Sequence, residues 1–332
     1  MNKSITKKIL KTALNIPAEF PRSAQIAITN LCNLDCTMCF KHFIKLDYKH
    51  MDIELFKQII DKIEGVDTVS LCGYGEPLLH PKILDAIRYC KEKGFETQLT
   101  SNGMLLKPDR KIKDLITSDL DLVTFSLESI EEVNDIAHPN QSALENIKRL
   151  VELKKELNSK VPKITLQTLM IKSRERDIFD IIEWGALNGI DRVNVARFEK
   201  HNTLTNVERP TVREEKAIFR KFDQYRKQHN IRIDCIQDRV YTGINGILYK
   251  HFKRLLGMDR HCIRLHDFVY INVEGYVNPC CALVDNRMGN LCGEDLKQIW
   301  KSAKYKIFRK NYYKTPWCSG CDFARLRQIE LN

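Results

Sequence analysis

The sequence predicts an α/β fold with a mostly parallel sheet, and three observations carry that expectation. Short apolar stretches alternate with longer amphipathic ones from about Ala24 to Arg197, the rhythm of successive strand–helix units. The amphipathic stretches repeat their apolar residues at helical spacing: Leu55, Phe56, Ile59, Ile60 and Ile63 make one face, and Ile83, Leu84, Ile87 and Cys90 another. Ser142 with Glu145, and Thr211 with Glu214, have the spacing of capping boxes at helix starts.

In chain order, strand patterns fall at Gln25 to Thr29, Asp67 to Leu71, Glu96 to Thr100, Leu122 to Leu127, Lys163 to Met170 and Arg192 to Arg197. Six strands fit an open barrel or a doubly wound sheet, and pattern alone does not separate the two. The rhythm changes near Arg209 and Pro210. A helix is expected from Thr211 to about Gln228, then a strand-like stretch from Ile231 to Ile236 and a bridge around Asn245 to Asp259. Beyond it come strand signals at Phe268 to Val273, a turn at Gly275 and a helix from Leu296 to about Phe308. The expected division is a basic extension over 1–23, a core over 24–210, the core edge with a bridge over 211–258, and a small domain over 259–332. So short a last segment has little core of its own and gains folding free energy from a bound metal.

Composition narrows the classes of function. An apolar fraction of 43% with 29% charged residues is ordinary for a folded protein. No run approaches the roughly 20 apolar residues that cross a bilayer, and no export signal follows the basic start, so a cytoplasmic protein without a transmembrane segment is expected. The net charge of +11 comes without any sequence module for base recognition, and its lysines are scattered over helical faces. Nucleic acid is therefore not the expected partner. Twelve cysteines in a reducing compartment need a use other than disulfides. Three lie within eight residues near the N-terminus and most others beyond Cys235, which points to two metal sites.

The stretch Cys32-Asn-Leu-Asp-Cys36-Thr-Met-Cys39 follows the first strand directly. Three thiolates on one short loop can surround a cubane iron–sulfur cluster. With no fourth cysteine nearby, one iron keeps an open position, the arrangement that separates reactive from closed structural sites in zinc proteins. A zinc knuckle or an electron-transfer cluster would need a fourth ligand from elsewhere.

The C-x3-C-x2-C spacing of Cys32, Cys36 and Cys39 resembles the defining element of the radical S-adenosylmethionine (SAM) superfamily. The resemblance implies a partial (β/α)6 TIM-like barrel, and a 4Fe-4S cluster whose open iron is chelated by the amino and carboxylate groups of SAM. It also implies reductive cleavage of SAM to a 5′-deoxyadenosyl radical that takes a hydrogen atom from substrate. Phe40 matches the aromatic position near adenine. Gly73-Tyr74-Gly75-Glu76-Pro77 resembles the glycine-rich acidic turn that meets the SAM amino group, with Tyr74 departing from its usual glycine-rich form. Ser101-Asn102-Gly103 follows in the expected order. Ser126, Glu128, Gln167, Thr168 and Arg197 stand at strand ends where family members contact SAM. Ser126 and Glu128 could instead cap the next helix, and Arg197 could tie the sheet to it.

Cys262, then Gly275 and Cys280 with four residues between them, then Cys318-Ser-Gly-Cys321 resemble the auxiliary-cluster domains called SPASM and twitch. A full SPASM domain carries further cysteines after the C-x2-C pair, and this chain has none there, which favours one auxiliary 4Fe-4S cluster. The most economical ligand set is Cys262, Cys280, Cys318 and Cys321, with Cys281 and Cys292 competing.

Together these features lead to the expectation of a radical oxidoreductase acting on a polar metabolite, such as an amino sugar, or on a peptide residue, with flavodoxin or ferredoxin as low-potential electron donor. Asp234 and Asp238 are candidate bases. An epimerase would use the isolated Cys235 as hydrogen donor, although a lone cysteine is more often a small core side chain. A non-enzymatic iron–sulfur maturation or redox-binding protein is the third reading.

Overall fold

The structure is a computed structural model that describes residues 18–63, 65–131, 141–198, 207–235, 262 and 264–321. Asp238, the basic start and most of the bridge lie outside the described residues. Strand–helix units run β1 (Ser23–Ile26), α1 (Ile53–Lys62), β2 (Thr68–Leu71), α2 (Ile83–Glu92), β3 (Glu96–Ser101), α3 (Asp109–Ile116), β4 (Leu122–Ser126), α4 (Gln141–Glu156), β5 (Lys163–Met170), α5 (Glu175–Leu187), β6 (Arg192–Arg197), α6 (Val212–His229) and β7 (Arg232–Asp234). The C-terminal part adds β8 (Phe268–Ile271), β9 (Tyr276–Asn278), β10 (Gly289–Asn290), α7 (Leu296–Lys301) and α8 (Ala303–Asn311).

All described strands form one sheet in the order β10-β9-β8-β1-β2-β3-β4-β5-β6-β7. Strands β1 to β6 each pair in parallel with the next strand, and β8 pairs in parallel with β1, Ser23 opposite Phe268 and Ile26 opposite Ile271. Only the pairings of β9, with β8 and with β10, are antiparallel. The sheet is open, with β7 and β10 at its edges among the described residues, as a partial barrel requires. The C-terminal module thus extends the core sheet, and the strand-like stretches expected from Ile231 and from Phe268 supply β7 and β8, two further parallel strands beside the six of the core.

Side chains alternate strictly across the sheet. Ile26, Leu71, Leu99, Val123, Phe125, Leu166, Val193 and Ile233 are buried and belong to the main core. The helices cover this face. Gly185 of α5 lies so close to Leu166, Val193 and Ile231 that an added Cβ would meet each at about 3.4–3.5 Å. The opposite face carries Gln25, Ser70, Gln98, Thr100, Thr124, Ser126, Gln167 and Asn194, all half-buried. Its polarity is that of a barrel interior left accessible to a ligand.

Three local expectations change. The first strand begins at Ser23 because the partners offered by β2 and β8 start there, and Thr29 instead makes an antiparallel bridge to His50. Ser142 lies inside α4 rather than capping it. The helix expected from Leu296 to Phe308 is two helices, because Ser302 is extended and its hydroxyl accepts the Tyr305 N–H, starting α8 afresh. The Thr211–Glu214 capping box is formed in both directions.

Candidate active site and auxiliary-cluster site

The loop after β1 is held open by its own polar groups. Thr29 Oγ1 accepts the Leu31 N–H at 3.0 Å, and Asn30 Nδ2 donates to the Asp47 carbonyl at 2.9 Å. Lys41 Nζ ties the loop together, donating to the Leu34 carbonyl and pairing with Asp35, each at 2.8 Å. Within this frame Cys32, Cys36 and Cys39 stay partly exposed and unpaired by disulfide. Burial pushes the Cys36 thiol up to about 11, with Cys39 and Cys32 adding to the effect, and burial likewise raises Cys32. Thiols this near discourage each other's ionisation, and bound iron reverses that penalty. Three cysteine sulfurs on one loop are the donor chemistry of such a cluster, although among the described residues no three His, Cys, Asp or Glu side chains are gathered as they would be to hold a single metal ion.

The turn after β2 closes over this loop. An added Cβ on Gly75 would lie 2.5 Å from the carbonyl oxygens of both Thr29 and Leu31, so only glycine lets the two backbones meet. Glu76 is buried, and its carboxylate accepts N–H groups from Leu78 at 2.9 Å and Asn102 at 2.7 Å. Burial raises its pKa despite these bonds. Asn102 in turn donates to Asn33 at 2.9 Å. Glu76 thus locks three segments together: the cysteine loop, its own turn and the Ser101–Gly103 turn.

Tyr74 takes an unexpected position. Its ring stacks on Phe40, centroids 5.8 Å apart, and Trp317 meets Phe40 edge-on at 5.1 Å. The phenol donates to the Cys281 carbonyl at 2.5 Å. Phe40 follows Cys39, and Trp317 precedes Cys318, so these rings link the cysteine loop to the C-terminal module.

The strand-end residues divide between the two faces. Ser126 and Gln167 lie on the polar face in register with each other, and Asn194 donates to Gln167 Oε1 at 3.1 Å. Glu128 is buried and turned toward β5, accepting from the Leu169 N–H at 2.9 Å and from the Thr168 hydroxyl at 3.4 Å. Burial pushes its carboxyl up to about 7. Thr168 and Arg197 have the parity of the helix-covered face. Arg197 is buried in a bidentate pair with Glu215 of α6, which is its tie to the next helix and not an approach to the mouth.

The catalytic candidates also separate. Cys235 is 2% exposed, shares the parity of Ile233 and sits in the main core behind the sheet. Asp234 lies on the polar face, accepting from Arg232 at 2.8 Å and Arg192 at 3.5 Å. Sequence reading passed over Cys72, which follows β2 directly and precedes Gly73, continuing the parity of the polar face; burial raises its thiol, and Thr100 hydrogen-bonds it. The two-residue period was the signal that could have found it.

In the C-terminal module Cys262, Leu265 and Tyr312 form a small buried cluster with Cys318 and Cys321 packed against it. The Tyr312 hydroxyl accepts the Cys262 N–H at 3.1 Å. Burial drives Cys262 up to about 11 and Cys318 up to about 12, and both are raised further by Cys280. Two arginines stand inside this shell. Burial alone would lower Arg264, but the Cys281, Cys280 and Cys262 thiols outweigh it and hold the guanidinium above its ordinary value. Arg309, lowered by burial to about 10, stacks 3.9 Å from the rings of Trp300 and Tyr305. The Arg264 cation beside these thiols suits an anionic four-thiolate cluster, while Arg309 braces the aromatic side of the module. Cys292 is exposed beside Gly275 and Glu274, while Cys281 lies within the arginine shell, its Sγ 3.7 Å from Arg264.

The Radical SAM superfamily profile matches residues 26–185, and SPASM, an iron–sulfur cluster-binding domain, matches residues 262–322. A tungsten-containing aldehyde ferredoxin oxidoreductase cofactor-modifying protein of Pyrococcus furiosus is 26% identical over 92% of this chain and 90% of its own length. A probable GTP 3′,8-cyclase of Methanocaldococcus jannaschii is 25% identical over 88% and 96%. Among solved structures, Streptococcus suis SuiB bound to precursor peptide SuiA superposes with a TM-score of 0.73 at 19% identity, covering 97% of this chain and 74% of that one. The cofactors are accordingly a 4Fe-4S cluster with SAM and an auxiliary iron–sulfur cluster. The chain thus carries a radical SAM domain over residues 26–185 and an iron–sulfur cluster-binding SPASM domain over residues 262–322.

Proposed function

We propose that this radical SAM enzyme oxidises a polar metabolite by removing a hydrogen atom, with the auxiliary cluster as the sink for the remaining electron. When bound, SAM and the clusters supply hydrogen-atom abstraction and one-electron redox chemistry. The carrying observation is the link between the two thiol loops through Phe40, Tyr74 and Trp317, which joins the SAM loop to the auxiliary module. Cys32, Cys36 and Cys39 would hold the first cluster; Cys262, Cys280, Cys318 and Cys321 would hold the second.

The polar face supports the substrate class. Gln98, Thr100, Thr124, Ser126, Gln167 and Asn194 present amides and hydroxyls rather than an apolar pocket, which suits a heteroatom-rich small molecule. The names of the Pyrococcus and Methanocaldococcus relatives also point to small molecules. Asp234 is the carboxylate of that face assigned to take the substrate proton. Cys235, on the opposite face, gives epimerisation no support.

The test is anaerobic turnover in deuterated buffer with purified polar metabolites from the host. The expected product has lost two hydrogens and carries no solvent deuterium at the reacting carbon. An inverted carbon bearing deuterium would overturn the assignment.

A further inference from the structure

From Leu296 to Cys321 the chain has seven lysines and arginines and no aspartate or glutamate. In α8 the buried stripe is Tyr305 and Arg309, continued by Tyr312, and this side forms part of the shell around Cys262. Arg309 donates to the Leu265 carbonyl at 3.0 Å, and Tyr312 accepts from Cys262. The opposite side displays Lys304, Lys306 and Lys310, with Lys314 following, all exposed. None of these four pairs with an acid among the described residues. Lys301, at the end of α7, is the one that reaches a carboxylate, Glu19 at 3.6 Å. Amid the lysines stand two large apolar side chains, Ile307 at 63% exposure and Tyr313 at 55%.

An ordinary solvated helix intersperses both signs of charge and does not place large apolar groups outward. A single-sign ring around an apolar centre is instead the layout of a steered, transient protein contact, in which charge sets the rate of encounter and the apolar centre holds the pair. The area is small, because nine residues of helix span only about 13 Å, as in weak redox encounters. Only the thickness of one helix, on the order of 10 Å, separates it from the cysteine shell.

We propose that the outer face of α8 and the turn Tyr312–Lys314 that follows it, with the apolar Ile307 and Tyr313 among Lys304, Lys306, Lys310 and Lys314, docks a small acidic electron-carrier protein of the ferredoxin type. This rests on the reading of Cys262, Cys280, Cys318 and Cys321 as an auxiliary-cluster site.

The test measures binding of an oxidised bacterial two-cluster ferredoxin to the reconstituted holoenzyme across a salt series, by titration calorimetry. The wild type is expected to bind and to weaken at least about tenfold from 50 to 300 mM salt, as screened surface charge requires. Lys304→Glu/Lys306→Glu/Lys310→Glu should weaken binding at least about tenfold at low salt and flatten the salt dependence, while Ile307→Asp weakens it at every salt concentration. Lys113→Glu/Lys148→Glu, with the same sign of change on α3 and α4, should leave affinity unchanged. No binding by the wild type, or equal loss in the α3–α4 control, overturns the proposal. SAM cleavage driven by dithionite is measured beside each variant. Its absence in the wild type counts against the enzymatic reading instead, and its persistence in the α8 variants shows that they fold.

Discussion

At the scale of single residues, the site is governed by which buried groups find a partner. Cys36 is the middle thiol of the proposed cluster site, so Cys36→Ala is expected to abolish SAM cleavage in reconstituted protein, measured as 5′-deoxyadenosine formed. Arg264 places a buried cation beside Cys281, Cys280 and Cys262. A positive neighbour stabilises the reduced, more negative cluster, so Arg264→Gln should lower the midpoint potential of the auxiliary cluster in an EPR-monitored redox titration; an unchanged or higher potential would sever that assignment. Glu128 gives a pH signature. Its folded pKa, about 7, stands above its ordinary value of 4.5. The folded state therefore binds the proton more tightly than the unfolded state, and its contribution to stability is full below about 4.5 and lost as pH rises through about 7. Replacing it in Glu128→Gln should flatten that part of the stability–pH curve, read from urea midpoints of the apo protein.

At the scale of elements, the parallel units were legible because their helices are amphipathic and their strands are bounded by turns. Strands β5 and β6 occur where the pattern puts them, and the capping box at Thr211 starts α6 as its spacing implies. Thr211→Ala should cost about 1 kcal/mol in chemical denaturation. The buried Arg197–Glu215 pair that fastens β6 to α6 matters more: Glu215→Ala leaves a charge without its carboxylate and is expected to cost about 3–5 kcal/mol. What the sequence hid was parity at strand ends. The alternation that puts Asp234 on the polar face puts Cys235 behind the sheet, and it places Arg197 toward α6. The stretch around Ser302 read as one helix because its apolar spacing continues unbroken, whereas a local serine cap decides the break.

At the scale of the whole molecule, the cysteine motifs announced two metal sites, but not that they share one sheet. The parallel pairing of β8 with β1 depends on contacts more than 240 residues apart in sequence, which no local pattern encodes. Nor did sequence reveal that Tyr74, the departure from the glycine-rich turn, spans from the SAM loop to the Cys281 carbonyl. The proposed chemistry depends above all on a cluster at Cys32, Cys36 and Cys39 with one iron open to SAM. The most direct measurement is low-temperature EPR of a Cys318→Ala/Cys321→Ala variant, reconstituted anaerobically and reduced with dithionite, before and after SAM is added. A reduced 4Fe-4S signal that changes on SAM addition, with 5′-deoxyadenosine formed, is the predicted result; a signal indifferent to SAM, or a loop filled by zinc, would contradict it.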